Sequence, residues 1–414
     1  MHFTFRTAGE SHGRGLVCVV EGVPAGLPLS AARDVDPDLR RRQGGYGRGG
    51  RMKIERDAAE FVAGVRLGET LGSPIAFVVW NRDWENWKDA MAAEAGGDTA
   101  QADRRAVHLP RPGHADLVGV LKYDRADARD ILERASARET TARVGAGAIA
   151  KRLLAEFDVS IGSHVVMLGG VEADRPDPLP ADLNAAADTS PIRTLDPAAE
   201  QRMIEAIDAA RQAGDTLGGC FEVVARGLPV GLGSHVAWDR KLDGRIAQAM
   251  MSIQAMKGVE IGLGFEASRR PGSRVHDEIE RAPDSPRTGG FRRTSNSAGG
   301  LEGGVTTGEP LVVRVAMKPL STLMQPLRSV DLRTGDVAQA VRERSDVVAL
   351  AAAGVVGEAM LAIVLADAML EKFGGDSLVE MKRNFDSYLQ QLVTRTAALE
   401  RAATAAGTER PADS

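Results

Sequence analysis

The sequence predicts a single large α+β unit, and three observations predict it. Strand-like alternation and helix-like periodicity interleave along all 414 residues. No clean linker divides them, although a prior of roughly 150 residues per domain would allow two or three domains. Hydrophobic residues make up 43% and charged residues 26%, which excludes a fibrous or wholly disordered chain. Aromatics are only 4%, so the core must be built largely from Ala, Val, Leu and Ile. The 46 glycines are more than a chain of this length usually carries, and imply many tight turns or places where backbone approaches a ligand.

Taken in order, residues 2–6 and 16–23 read as strands around a turn at Gly9-Glu10-Ser11-His12-Gly13. Residues 40–53 are an Arg/Gly loop, 54–80 strands, and 89–107 an exposed polar loop. From 124 to 157 apolar residues recur at helical spacing, which predicts a long helix or two in line, with a weak point at Gly145 and Gly147. A strand at 160–171 and a Pro/Asp-rich connector at 172–197 lead to a helix at 197–213 and a strand at 219–226. Residues 239–257 have helical period and 258–265 are extended. A long polar, Gly-rich segment at 267–308 precedes a strand at 309–318. Residues 347–372 read as a buried helix, and the last fifteen or so residues as frayed. No repeat of 20 to 50 residues is present.

The formal net charge of −5 makes a general polyanion binder a poor fit unless the cations are segregated. Two cysteines, Cys18 and Cys220, are too few for a disulfide framework and suit a reduced, cytoplasmic setting. The stretch Met1 to Arg6 has no basic-then-apolar signal pattern. Residues 347–366 are long enough to span a bilayer, but Gly354, Gly357 and the mid-run Glu358 favour a core helix and no membrane partner.

Two motifs mislead. Gly9 to Gly13 matches the nucleophile elbow G-x-S-x-G, yet a strand pattern rather than a helix follows it. Gly145-Ala146-Gly147-Ala148-Ile149-Ala150 matches the dinucleotide fingerprint, but lies inside a helical pattern, where small residues serve close packing. Metal-ligand spacing is absent, so no metal is expected.

The densest chemical signal is the stretch from Arg40 to Lys53, with six cations, five glycines and no acid. Three readings compete: a solvated loop, an RGG-like nucleic-acid element, and a clamp for a small polyanion. Arginine's planar fork suits carboxylate and phosphate, and a single element embedded in an acidic chain favours the small polyanion over nucleic acid. Arg134 to Glu139 and Lys318 to Thr322 add further cations and hydroxyls, and the glycine pairs from 289 to 304 punctuate a loop.

These motifs, with Arg111-Pro112-Gly113-His114-Ala115-Asp116, Gly214 to Gly219, Met256 to Gly262 and Ser297 to Gly304, resemble those of the chorismate synthases, in order and from about residue 6 to about 370. The resemblance implies helices sandwiched between antiparallel sheets in one large domain over 1–395, with 396–414 a flexible tail. It implies a homotetramer and a lyase of aromatic amino acid biosynthesis. The reaction is loss of phosphate from 5-enolpyruvylshikimate 3-phosphate to give chorismate, with reduced FMN and no net redox change. NADPH as the reductant stays open. Carried over residue by residue, His12 resembles the histidine that protonates the leaving phosphate, and His114 the one that meets the charge of the reduced flavin. Asp346 resembles the aspartate that assists removal of the ring proton. Arg42, Arg48 and Arg51 resemble a substrate-anion clamp. Arg134, Ala135, Ser136, Gln254, Ala255, Gly303, Lys318, Pro319, Leu320, Ser321, Thr322 and Arg344 resemble flavin contacts. Two departures stand out: many members have His where Ser345 stands, and Asn where Gln254 stands.

Overall fold

A computed structural model describes residues 2–49, 56–94, 99–343 and 345–408. Two antiparallel sheets carry the fold. The first runs in the order Thr4–Ala8, Gly15–Glu21, Ile75–Trp80, Glu60–Ala63. In Gly15–Glu21 the alternation buries Leu16, Cys18 and Val20 on one face. The second sheet runs Met256–Ile261, Leu311–Met317, Gly219–Arg226, Ser160–Leu168, Val171–Glu172. There Leu311, Val313, Val315 and Met317 face the core. The chain is thus α+β.

Two helices, Thr140–Ala155 and Leu350–Phe373, pack on each other; the former also touches Gly15–Glu21, the latter Ser160–Leu168 and Gly219–Arg226. Gly145 and Gly147 make these approaches possible. A Cβ at Gly145 would stand 2.4 Å from the Phe77 ring, and one at Gly147 only 2.3 Å from Ala359 Cβ. The glycines are therefore contact points within a continuous helix, and the break in the 124–157 pattern lies elsewhere. It falls at Ser136, whose backbone is extended (φ −62°, ψ 142°) between Arg129–Ala135 and a short turn, Ala137–Glu139.

The Leu350–Phe373 helix is long and apolar enough to cross a membrane, but 94% of its apolar window is buried inside the fold. Its one mid-run charge, Glu358, is fully buried and paired. It accepts two bonds from Arg41 (2.8 and 2.9 Å), one from Ser163 Oγ (2.6 Å) and one from Lys151 Nζ (2.5 Å), with Arg193 Nη2 at 3.2 Å. These cations, outweighing the effect of burial, hold its carboxyl well below the usual range.

Other expectations need correction. Residues 40–43 form the last turn of a helix, Asp36–Gln43, with Pro37 and two acids in its first turn and three arginines in its last. That charge order suits the helix dipole. The 89–107 loop contains a short helix, Thr99–Arg105, and the 172–197 connector another, Leu183–Ala187. The helix expected over 239–257 spans Leu242–Met251, and Met256 already belongs to a strand. The 267–308 segment folds into short turns and two small hairpins rather than one open loop. Residues 396–408, expected within a flexible tail, continue the final helix Leu378–Thr408. There Thr396 is buried, with Oγ1 bonded to Gly289 O at 3.2 Å, which ties this turn to the fold.

Candidate active site

Four separate stretches of chain meet at a cleft of about 520 Å³, within the range of roughly 300–1,000 Å³ typical of small-molecule sites. They are the Gly9–Gly13 turn, the end of the Asp36–Gln43 helix with its following loop, the Arg111–Ala115 turn, and the segment preceding Leu350. The break at Ser136 and the Lys318–Thr322 segment complete the walls.

His12 sits in the turn joining the first two strands, so the elbow motif is a strand–turn–strand and not a hydrolase site. Its backbone N–H donates to Glu133 Oε2 (2.7 Å), and its Nδ1 lies 2.8 Å from Glu133 Oε1. Glu133 is itself buried and bonded by Arg129 (3.2 Å). Burial alone would raise the Glu133 carboxyl, but the bond to His12 and its charge hold it low. His114 repeats the arrangement. Its Nδ1 is 2.5 Å from Asp116 Oδ1, and Asp116 also accepts Arg111 Nε at 2.8 Å. Asp116 is fully buried, yet the bonds from His114 and Arg111 outweigh burial and keep its carboxyl well below the usual range. Each imidazole is therefore anchored through Nδ1 on a buried carboxylate, which fixes where the ring sits.

The opposite wall is cationic. Arg42 is buried, with Nε donating to Thr140 Oγ1 (2.9 Å) and Nη2 to Ala137 O (2.8 Å). Its neighbour Arg41 turns inward to Glu358, so adjacent arginines of one helix serve core and cleft. Arg48 pairs with Asp346, Nε to Oδ2 at 3.2 Å, and Asp346 Oδ1 accepts the Gly49 N–H at 2.6 Å. Asp346 is not a helix cap: the helix begins at Leu350, with Ala349 at the cap position. Arg51 and Arg344 lie outside the described residues.

Ala135, Ser136, Gln254, Ala255, Lys318, Leu320, Ser321 and Thr322 line the cleft with His12, His114, Arg42, Arg48 and Asp346. Lys318 Nζ donates to Gly113 O (3.0 Å) and Ser321 Oγ (2.9 Å), and Arg111 Nη1 donates to Thr322 Oγ1 (2.9 Å). Burial, and then Lys257, push the Lys318 ammonium below its usual value. Among the described residues, the lining does not include Arg134, Pro319 or Gly303. Arg134 reaches Thr7 O (2.8 Å) and Gly9 O (3.1 Å) instead. Gly303 sits in a hairpin turn facing His235. His164 is also remote, bonded to Glu222 within the five-stranded sheet. Among the described residues no cluster suited to a metal ion is found. Sequence reasoning missed Glu133 and Arg129; Asp116 and Arg111 stood in a quoted motif without a role. The only sequence signal for Glu133 was its place in the helical pattern just before Arg134.

The family model for chorismate synthase matches residues 3–370. The chain belongs to the chorismate synthase family. Among curated chorismate synthases, one from Trichlorobacter lovleyi is 58% identical over 390 residues, covering 93% of this chain and 98% of that protein. One from Symbiobacterium thermophilum is 57% identical over 395 residues, 94% of this chain and 100% of that protein. A solved crystal structure of a chorismate synthase, 45% identical, superposes with a TM-score of 0.75 and covers 95% of this chain and 99% of the other. As a chorismate synthase relative over nearly its whole length, the chain is an enzyme.

Proposed function

We propose that this chain catalyses loss of phosphate from 5-enolpyruvylshikimate 3-phosphate to give chorismate, as a carbon–oxygen lyase. The observation that carries the reading is the pair of imidazoles, His12 on Glu133 and His114 on Asp116, lining one cleft with Arg42, Arg48 and Asp346. The substrate is a polyanion, with two carboxylates and a phosphate, and guanidinium forks are suited to such groups. Arg42 and Arg48 bind and orient it. His12 gives a proton from Nε2 to the departing phosphate, and Glu133 stabilises the ring while it carries that charge. Asp346, placed beside Arg48, assists removal of the proton from the ring carbon.

The residues also fit the reduced FMN that the family resemblance implies. The Gln254 side chain has one end bonded to Glu139 (3.2 Å) and its other end, Oε1, buried without a partner among the described residues. A flavin ring edge would meet that amide, and Lys318, Ser321 and Thr322 would hold the anionic end with Ala135, Ser136 and Ala255 against the rings. Reduced FMN supplies electron density that eases phosphate departure, and no net redox change results. His114 holds or exchanges the proton that balances negative charge next to it. The same resemblance supports a layered arrangement of helices between the two sheets and a cytoplasmic homotetramer. The test is an anaerobic assay of chorismate formation with chemically reduced FMN, then with oxidised FMN plus NADPH. Absence of chorismate with reduced FMN would refute the assignment; the second condition decides whether the chain reduces its own flavin.

A further inference from the structure

Behind His12 stands a residue that the proposed reaction does not use. Trp87 follows the short turn Trp84–Asn86, and its indole stacks on the His12 ring, with centroids 3.7 Å apart and planes 22° from parallel. The Arg105 guanidinium carbon lies 3.8 Å from the same indole, and Arg129 is at 5.4 Å. Trp87 Nε1 donates to Asp83 Oδ2 at 3.0 Å, which fixes the indole from its own segment. Arg105 is fixed in turn, donating to Asn86 O at 2.8 Å and accepting Arg129 Nε on its own carbonyl at 2.8 Å. Since Arg129 also bonds Glu133, and Glu133 bonds His12, the contacts close into a ring: His12, Trp87, Arg105, Arg129, Glu133 and back to His12.

Two kinds of constraint act on the imidazole. A hydrogen bond to Glu133 fixes where Nδ1 lies but leaves the ring free to tilt about that bond. A flat aromatic neighbour fixes the tilt, because with centroids only 3.7 Å apart the two rings can avoid overlap only while their planes stay near parallel. Only together do they set the direction of Nε2. Trp87 is not among the residues lining the cleft, so it acts through His12 and not on a ligand. We propose that Trp87 is a positioning residue for His12, holding the imidazole plane so that Nε2 addresses the cleft. The inference rests on the assignment of His12 as the proton donor.

The test compares Trp87→Leu with Trp87→Phe, each also in a His12→Asn background, with binding of oxidised FMN as the check on an intact cleft. With reduced FMN, Trp87→Leu is expected to lower kcat about tenfold at nearly unchanged KM, since a lost stack of this kind carries roughly one power of ten. Trp87→Phe, which keeps a flat face, stays within about threefold of the parent. In the His12→Asn background Trp87→Leu changes kcat less than about twofold, because the group it positions is gone. Independently of turnover, residual dipolar couplings of the His12 ring C–H bonds should report one fixed ring plane in the parent and averaged orientations in Trp87→Leu, while the Nδ1–H tautomer held by Glu133 stays the same in both. Unchanged ring couplings in Trp87→Leu, or a kinetic loss equally large without His12, overturn the proposal. A parent that forms no chorismate refutes the functional assignment instead, and the couplings then decide the positioning by themselves.

Discussion

Asp346→Asn separates two jobs that the proposed reaction gives one carboxylate. Asparagine keeps the shape and can still accept the Gly49 N–H, now bonded to Oδ1 at 2.6 Å. It loses the charge that meets Arg48 Nε across 3.2 Å, and its amide can turn donors toward that guanidinium. This contact is an ion pair without hydrogen-bond geometry, and with Asp346 21% exposed such a pair contributes at most about 1 kcal/mol. About 1.4 kcal/mol is one power of ten, so a loosened Arg48 should raise KM for the phosphorylated substrate by no more than about fivefold. The second loss is the proton acceptor itself, which typically contributes about 10²–10⁴-fold to the chemical step. The expected outcome is therefore a fall in kcat of at least about 100-fold together with a modest rise in KM. Single-turnover measurements with substrate deuterated at the reacting ring carbon separate the two. If kcat and the isotope effect are unchanged while KM rises, Asp346 only orders Arg48 and Gly49, and the proton leaves by another route.

Arg48→Ala should weaken substrate binding about tenfold or more while leaving binding of oxidised FMN within about twofold; equal substrate affinity in mutant and parent removes Arg48 from the clamp. His114→Ala should slow turnover about 10²–10⁴-fold with the fold intact, since Asp116 keeps its bonds from Arg111, and parental turnover with reduced FMN would contradict it. Glu358→Gln should cost about 3–5 kcal/mol in denaturant unfolding at pH 7, because buried Arg193 and half-buried Arg41 and Lys151 lose their shared, fully buried carboxylate. Glu358 has a folded-state pKa below its ordinary 4.5, so its contribution is complete above that value and lost as pH falls below it. The mutant should accordingly lose less stability than the parent as pH falls from 4.5 towards about 2, and parallel losses in that window would count against the pairing.

Much of the fold was legible because its signals are local. The Pro197–Ala213 helix has Asp196 capping Ala198 and Ala199, Pro197 at its first position and left-handed Gly214 after it, all readable in order. The break at Ser136 was not, because it is set by partners distant in sequence: Arg42 takes the carbonyl of Ala137, and Ser11 accepts from Ser136 Oγ. The same divide runs through the site. His12 and His114 stood out in glycine-bearing turns, whereas Glu133 is an ordinary helical carboxylate until the fold brings it 121 residues back to His12. Likewise nothing in Arg40 to Lys53 separates Arg41 from Arg42; their opposite fates follow from the helix that presents them to different neighbours.

The near contact of Gly147 with Ala359 reaches further than the core it occupies. Any side chain at 147 would need its Cβ at least about 3.4 Å from its neighbour instead of 2.3 Å, so the two central helices would have to part by about 1 Å. Each of those helices begins at the cleft: Thr140–Ala155 directly after Ser136 to Glu139, and Leu350–Phe373 directly after Asp346 and Ala349. Parting them would move the carboxylate wall away from the Ser136 wall by a comparable amount, and a displacement of that size at reacting groups can cost about 100-fold in rate. The gauge of the cleft is therefore set by a missing methyl group deep in the interior, at a position outside the cleft's lining.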